Sequence, residues 1–359
     1  MDDPLIILLT VYIYRRRQLQ LHQRRRRRHY QQQLRIRYRP AFEYVFRSFS
    51  LDLMPPGRAR IYLRFTVPEI QRLAPLLRLY AIEYRAGIKY DLTTALCVIC
   101  VRLSYPSRWP TLCDLFGRSP TWLSIVFNDS IQYLRHRFAG HLSWHRQLDD
   151  YTRLQEFADG VIRAGGVKDI WGFVDGTFRG HCRPSGQEAQ RMVYSGHKRS
   201  HGINWQAVVT PDGLISSLRG PFPGTANDWG MWQRSNITED LRRVLAGQRM
   251  LYLYGDPVYS CGFGIAYPFE HPQGRRALSK AQQAFNAKLS SVRIAVEQAF
   301  GDIQVKWTYT AFVKGVIAGR QPIAAHFFTA VLLANCWICL RRQHNRFLVK
   351  PIDLEEYLY

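Results

Sequence analysis

Apolar and polar positions follow two different patterns along this chain, which separate a helical N-terminal part from a mixed C-terminal part. Residues 60–150 have the spacing of buried helical faces, and Asp91 is placed to cap a helix over 92–103. From residue 170 onward the apolar runs are short and bounded by turn residues, which is typical of strands. The strands are predicted at 170–174, 204–210, 214–218 and 251–255.

Two longer apolar stretches predict helices that close the C-terminal part. Over 281–307, six apolar side chains recur every three or four positions, so they lie on one face of a helix. They are Phe285, Leu289, Val292, Val296, Phe300 and Ile303. The stretch from Ala324 to Leu340 predicts a final buried helix, which is interrupted by Asn335 and is short for a membrane span.

A pair of helices joined by a tight turn is predicted between residues 109 and 135. Gly117 ends the first helix, and Ser119 caps the second with Pro120 in its first turn. This pattern is typical of a helix-turn-helix, in which the second helix enters the major groove of DNA. An ordinary helical hairpin has the same pattern, so the DNA-binding interpretation depends on the charge of the chain.

The chain is strongly basic. Its 359 residues include 50 Lys and Arg against 27 Asp and Glu, a net charge of +23, and 47% of them are hydrophobic. That content excludes a wholly disordered chain, and the charge predicts a polyanionic partner, either nucleic acid or an acidic membrane surface. Five consecutive arginines at 24–28 predict a nuclear-localisation or phosphate-binding arm. The alternatives are a solvated tail without a specific role and a membrane-surface helix that begins in the apolar run 5–14.

The seven cysteines predict a reducing compartment, because their number is odd and they are spread thinly over a long chain. Two pairs have CxxC spacing, Cys97 with Cys100 and Cys336 with Cys339, which would allow a four-thiolate zinc site. Both pairs lie in strongly apolar helical runs, where cysteine is a common small hydrophobic residue. We therefore predict buried thiols instead of zinc ligands.

Four acidic residues are candidates for a site that carries chemistry. Asp175 and Asp256 each follow an apolar run that predicts a buried strand, where a carboxylate is costly unless a cation pairs with it. Glu297 lies one turn after Arg293 on the long helix, and Asp228 precedes a short helix. Taken singly, these two are explained by a surface Arg–Glu pair and by a helix N-cap. Together the four carboxylates predict a site for two divalent ions, Mg²⁺ or Mn²⁺, which prefer oxygen ligands.

The order of these residues resembles that of a known family. The segments Val174-Asp175-Gly176-Thr177, 224–228, Gly255-Asp256 with Tyr259, and 293–301 are similar to the motif series of the PIF/Harbinger DDE transposases and their transposase-derived nuclease relatives. The last segment has the pattern Arg-x-x-x-Glu-x-x-Phe-Gly, and the resemblance covers about residues 90–340. It implies an α/β, RNase H-like fold, with a mixed sheet flanked by helices, and metal-dependent cleavage and joining of DNA.

The resemblance also implies the roles of the acidic residues. Asp175, Asp256 and Glu297 are implied to be both catalytic residues and metal ligands. Asp228 is implied to be a metal ligand only. The chain departs from the family at Asn227 and Trp229, where relatives commonly have His and Ser, and at Pro257. These departures leave open an alternative function, a domesticated and catalytically silent DNA-binding protein that retains the fold.

Six basic residues are predicted to contact DNA. Four of them lie near Asp175 in the sequence, so a DNA backbone would meet positive charge beside the metals. The six are Arg118, Arg179, Arg183, Lys198, Arg199 and Arg293. His197 and His201 in the same stretch have HxxxH spacing, but the flanking glycines favour a solvated basic loop over a zinc-binding helix.

These observations predict four parts. A basic N-terminal arm at 1–55 precedes a small helical, helix-turn-helix-like domain at 56–150, an RNase H-like nuclease domain at 165–345 and a C-terminal tail at 346–359. We expect a nuclear DNA endonuclease or transposase with no membrane partner. Homo-oligomers and a separate Myb-like DNA-binding helper, on which relatives often depend, are the candidate protein partners.

Overall fold

The computed structural model describes residues 49–259, 262–270, 277–311, 313, 316–342 and 345–359. The arginine run at 24–28 and most of the predicted basic arm lie outside the described residues. The described chain has a mixed α/β architecture, as predicted. A single hydrophobic core extends from Leu51 to Leu358, so residues of both predicted domains contribute to it.

Within the described residues, six α-helices precede the sheet. They are α1 (Pro56–Leu63), α2 (Val67–Leu76), α3 (Leu92–Ser104), α4 (Trp109–Phe116), α5 (Pro120–Ser143) and α6 (Tyr151–Arg163). The predicted cap of α3 is confirmed, since Asp91 accepts a 2.8 Å hydrogen bond from the backbone N–H of Thr94.

The sheet has six strands in the described chain, β1 (Ile170–Gly180), β2 (Tyr194–Ser195), β3 (Ser200–Val209), β4 (Ile215–Pro223), β5 (Tyr252–Tyr254) and β6 (Ile265–Ala266). The long strand β3 lies between β1 and β4 and pairs antiparallel with both. On its other edge β1 pairs parallel with β5, which pairs parallel with β6. The order across the sheet is therefore β4–β3–β1–β5–β6, with the short β2 also paired to β3.

The strand β1 is longer than predicted. The apolar run ends at residue 174, but pairing with β3 continues to Gly180, where the partner is Gly202. Because the ladder supplies backbone hydrogen bonds beyond the apolar run, Asp175 lies inside a strand and not at its end.

Six further helices complete the described fold: α7 (Gln187–Val193), α8 (Asp228–Arg234), α9 (Ile237–Val244), α10 (Lys280–Lys306), α11 (Ile323–Arg341) and α12 (Leu354–Leu358). The predicted apolar face of α10 is buried from Leu289 to Ile303, and Phe285 is half-buried. The helix α11 is long and apolar enough to cross a membrane, but 72% of that stretch is buried inside the protein.

The helix pair predicted as a helix-turn-helix is present, but its second helix is a core element. Gly117 ends α4 in the left-handed conformation, with φ of 60°, and Ser119 caps α5. The helix α5 runs for 24 residues and contacts α3, α11 and β4. Its inner face belongs to the common core, and a DNA-binding helix-turn-helix domain is not confirmed.

The CxxC pairs lie on α3 and α11 and are buried as free thiols. Burial raises the pKa of Cys97, Cys100, Cys336 and Cys339, which keeps the thiols protonated. No group of three His, Cys, Asp or Glu side chains in the described part of the chain could hold a metal ion, so a four-thiolate zinc site is not supported.

Candidate functional site

Parallel pairing of β1 and β5 brings the first two aspartates together. Phe173 pairs with Tyr254, and β5 ends there. Two residues further along each segment are Asp175 and Asp256, so the register sets them side by side. Both residues are half-buried.

The segment after β5 orients Asp256. Its Oδ1 atom accepts a 3.0 Å hydrogen bond from the backbone N–H of Val258, inside the short 3₁₀ turn Pro257–Tyr259. Gly255 is required before it, because a Cβ at this position would lie 2.7 Å from the Tyr259 ring and 3.0 Å from Val174. The chain therefore passes close to β1 just before the carboxylate.

Asp228 joins the other two aspartates from the start of α8. The sequence allowed Asp228 to be the N-cap of this helix, but the structure gives that role to Asn227, whose Oδ1 accepts a 2.8 Å hydrogen bond from Gly230. The Asp228 carboxylate is thereby free to face β1. It lies against Gly176, where a Cβ would overlap its Oδ1 atom.

A residue that sequence reasoning missed connects these segments. The buried Gln206 on β3 donates a 3.1 Å hydrogen bond to the Tyr259 hydroxyl, and its Nε2 atom is 3.5 Å from the backbone oxygen of Asp228. A polar residue in the otherwise apolar run 205–209 was the signal available in the sequence. Gln206 ties the turn that follows Asp256 to the start of α8.

Arg293 on α10 faces Asp175. Its Nη2 atom is 3.7 Å from Oδ1 of Asp175, and that oxygen also accepts a 2.9 Å hydrogen bond from the backbone N–H of Gly176. The Asp175 side chain is 20% exposed and the Arg293 side chain 28% exposed. Arg293 was expected to contact DNA, and here it lies beside a site carboxylate.

Burial and mutual repulsion disfavour the ionised form of two of the aspartates. Burial, followed by the charges of Asp256 and Asp175, raises the pKa of Asp228 to about 6. Burial also raises the pKa of Asp175, against the lowering effect of Arg293, and the charges of Asp256 and Glu297 add to the rise. The carboxylates therefore lie within electrostatic range of each other, and the charge of Arg293 does not offset the effect of their burial.

Glu297 lies at the edge of this cluster. It is exposed on α10, one helical turn after Arg293, and near enough to Asp175 to raise the pKa of that carboxyl. As noted above for the described residues, no three acidic side chains are arranged to hold a metal ion. The sequence predicted a cluster of metal ligands here, but the described residues do not form one, and Glu297 is exposed.

Arg179 is the predicted DNA contact that the structure contradicts. It is 5% exposed, and its guanidinium lies 4.3 Å from the centre of the Phe327 ring. Burial lowers the pKa of Arg179 to about 10. Because β1 continues past Asp175 and α11 covers it, this side chain packs inside the protein and does not reach a DNA backbone.

Apart from Arg179 and Arg293, the predicted DNA contacts are exposed. Arg183 donates a 2.6 Å hydrogen bond to Gln190, and Arg118 lies 5.3 Å from the centre of the Trp122 ring. Lys198 and Arg199 lie in the turn between β2 and β3, and the charge of Lys198 lowers the pKa of Asp228. The stretch that contains His197 and His201 is thus a hairpin. The sequence had favoured a loop over a zinc-binding helix at this position.

Residues 174–339 match the family model of the DDE superfamily endonucleases, so the resemblance predicted from the motifs is confirmed for this region. The match begins one residue before Asp175 and ends within α11. It therefore includes Asp175, Asp228, Asp256 and Glu297.

A particular relative extends this likeness toward the N-terminus. The chain is 22% identical over 270 residues to the protein named Protein ALP1-like from Arabidopsis thaliana. The aligned region covers 72% of this chain and 63% of the relative, so the chain spans less than two thirds of that protein's length. No solved structure matches the chain.

Proposed function

We propose that the chain is a divalent-metal-dependent DNA endonuclease or transposase of the DDE type. The observation that carries this proposal is the electrostatic coupling of Asp175, Asp228 and Asp256, which come from segments far apart in the chain, beside Arg293. Three half-buried carboxylates repel one another, and this arrangement costs free energy unless a cation or protonation compensates it, which is typical of functional sites. The match of residues 174–339 to DDE superfamily endonucleases supports the same conclusion.

The strand order supports an RNase H-like fold. A central β1 has an antiparallel neighbour on one edge and a parallel neighbour on the other, in the order β4–β3–β1–β5–β6. This arrangement places Asp175 in β1 and Asp256 just after the adjacent parallel strand β5, and α10 adds the glutamate from outside the sheet.

The donor set fits a hard divalent cation in its chemistry. All four candidate ligands are carboxylates, and burial raises the pKa of Asp175 and Asp228, so a bound cation would favour their ionised forms. Asp175, Asp228, Asp256 and Glu297 would hold the ion or ions, which when bound would activate water or a DNA 3′-hydroxyl and stabilise charge at phosphorus. The protein holds the carboxylates in position through Gly176, Asn227 and the Gln206–Tyr259 pair.

Exposed basic residues near the carboxylates support a DNA substrate. Lys198 and Arg199 lie in the exposed turn of the hairpin between β2 and β3, and the exposed Arg183 follows β1. Contacts of this kind bind phosphate without reading sequence, so DNA binding should weaken steeply as salt rises. A DNA substrate in turn supports the proposed nuclear location.

A plasmid-nicking assay with Mg²⁺ or Mn²⁺ tests this function. We expect the wild type to nick, and Asp175→Ala and Glu297→Ala to lose on the order of a hundredfold or more of that rate, as when a group that stabilises transition-state charge is removed. Asp302→Ala is the matched control, since Asp302 is an exposed acid on the same helix paired with Lys306. Nicking by Asp175→Ala at the wild-type rate would contradict the proposal.

The second candidate is a catalytically silent DNA-binding protein with the same fold. The exposure of Glu297 and the absence of a ready-made metal cluster in the described chain favour it. In that case no variant nicks, but the wild type still binds DNA with a steep dependence on salt.

A further inference from the structure

The guanidinium of Arg293 lies beside the site carboxylates and has few other polar interactions. Its Nη2 atom is 3.7 Å from Asp175, while its Nε atom is buried and has no hydrogen-bond partner. The head group is therefore directed to the site by the position of α10 and by charge, and not by a network of hydrogen bonds to its neighbours.

The positive charge of Arg293 acts on more than one carboxylate. Its charge lowers the pKa of Asp228 as well as that of Asp175. Lys198, in the exposed turn of the hairpin, lowers the pKa of Asp228 more than Arg293 does, whereas Arg293 also acts on Asp175. Arg293 is thus a half-buried cation shared by two of the four candidate ligands.

A guanidinium in this position and a divalent cation have the same electrostatic role. Each relieves the repulsion between aspartates, and each needs the same carboxylate oxygens. Two cations at one site repel each other, so the presence of one lowers the affinity for the other.

We propose that Arg293 is a resident counter-cation of the site carboxylates, an inference that rests on the proposed nuclease function. It holds the site carboxylates together in the metal-free protein and competes with the divalent ion for them. Metal loading then requires the Arg293 side chain to move away from Asp175, which makes Arg293 a positioning residue that sets the metal affinity of the site.

Calorimetric titration of the full chain with Mn²⁺ tests the competition without measuring nuclease activity. We expect Arg293→Gln to bind Mn²⁺ about tenfold more tightly than the wild type, because a competing positive charge 3.7 Å from the Asp175 carboxylate is gone. Without metal, the same variant should have a lower Tm, because the aspartates lose their counter-cation. Arg249→Gln is the control, since it removes an arginine from an exposed pair with Asp169 and changes the net charge equally.

The outcomes separate this proposal from the proposed function. Equal or weaker Mn²⁺ binding by Arg293→Gln overturns the counter-cation role while leaving a metal-binding site in place. An absence of Mn²⁺ binding by both the wild type and Arg293→Gln overturns the metal-dependent function and the counter-cation role together.

A second measurement uses the wild-type protein, in case Arg293→Gln does not fold. The side-chain Nε–Hε resonance of Arg293, identified by its loss in Arg293→Lys, should shift when Mg²⁺ is added. An unchanged resonance at a Mg²⁺ concentration that saturates the calorimetric signal overturns the proposal.

Discussion

Two small residues decide whether the carboxylates of the site can meet. Gly176 leaves room for the Asp228 carboxylate against β1, and Asn227 takes over the capping of α8. Without Asn227, Asp228 would be the nearest acceptor for the free N–H groups of the first turn. Both residues act by letting Asp228 face the other aspartates.

Replacing Gly176 by alanine tests this role. The added Cβ would overlap Oδ1 of Asp228 and lie 3.0 Å from Cε of Met231, so we expect Asp228 to be displaced. We predict a loss of nicking and of about 1–3 kcal/mol of stability, as for overpacking elsewhere. Nicking assays and urea unfolding measure the two effects.

Gly196→Ala is the matched control, because Gly196 lies in the nearby hairpin turn and a Cβ there meets nothing within 4 Å. If Gly176→Ala nicks and unfolds as Gly196→Ala does, the close approach of Asp228 to β1 has no functional importance.

At the scale of elements, the C-terminal residues 346–359 contribute to the core. The sequence had predicted a tail there. The short helix α12 buries Leu354, Tyr357 and Leu358. The Tyr357 ring stacks on His145 with 5.0 Å between centres, and its hydroxyl accepts a 2.9 Å hydrogen bond from Asn335 on α11. The helix therefore ties the segment after α5 to α11.

Tyr357→Ala should destabilise the protein by about 3–5 kcal/mol, because it empties a buried aromatic position and leaves Asn335 without one partner. Glu355→Ala on the same helix is the control. Glu355 pairs with Arg72 across 2.6 Å on the surface, and the loss of such a pair costs about 0–1 kcal/mol. Urea unfolding measures both, and equal effects of the two substitutions would argue against a structural role of α12.

At the scale of the whole molecule, three histidines are held neutral inside the fold. Burial lowers the pKa of His141 to about 4, and that of His145 and His326 to about 3. His145 satisfies both ring nitrogens when neutral, since Nδ1 accepts from the backbone N–H of Gln147 and Nε2 donates to the backbone oxygen of Tyr357. The histidines link stability to pH, while the raised pKa of Asp228 has the opposite effect.

Stability should therefore fall as the pH is lowered from 7 to 5. In the unfolded chain a histidine takes up a proton near pH 6.5, whereas folded His326 does so only near pH 3. Its stabilising contribution is complete above pH 6.5 and is lost as pH falls toward 3, by about 2 kcal/mol at pH 5. We predict that His326→Phe loses about 2 kcal/mol less than the wild type between pH 7 and 5.

Unfolding curves at the two pH values measure this difference. The variant must be compared with itself at pH 7, because Phe also changes the packing against Phe127 and Tyr309. An equal loss in the wild type and the variant would mean that His326 is not held neutral by burial.

The sequence by itself determined the local elements and the order of the candidate site residues. The cap at Asp91, the apolar face of α10 and the four acidic positions could all be predicted, because spacing and capping depend on neighbours along the chain. The motif order also sufficed to predict a DDE resemblance, which the match of residues 174–339 confirms.

Only the tertiary structure decided which side chains meet and which are covered. The ladder between β1 and β3 placed Asp175 inside a strand, α11 buried Arg179, and the fold gave α5 a place in the core. It also set Arg293 beside Asp175 and left Glu297 exposed. These outcomes depend on pairing and burial between segments far apart in the chain, about which local periodicity carries no information.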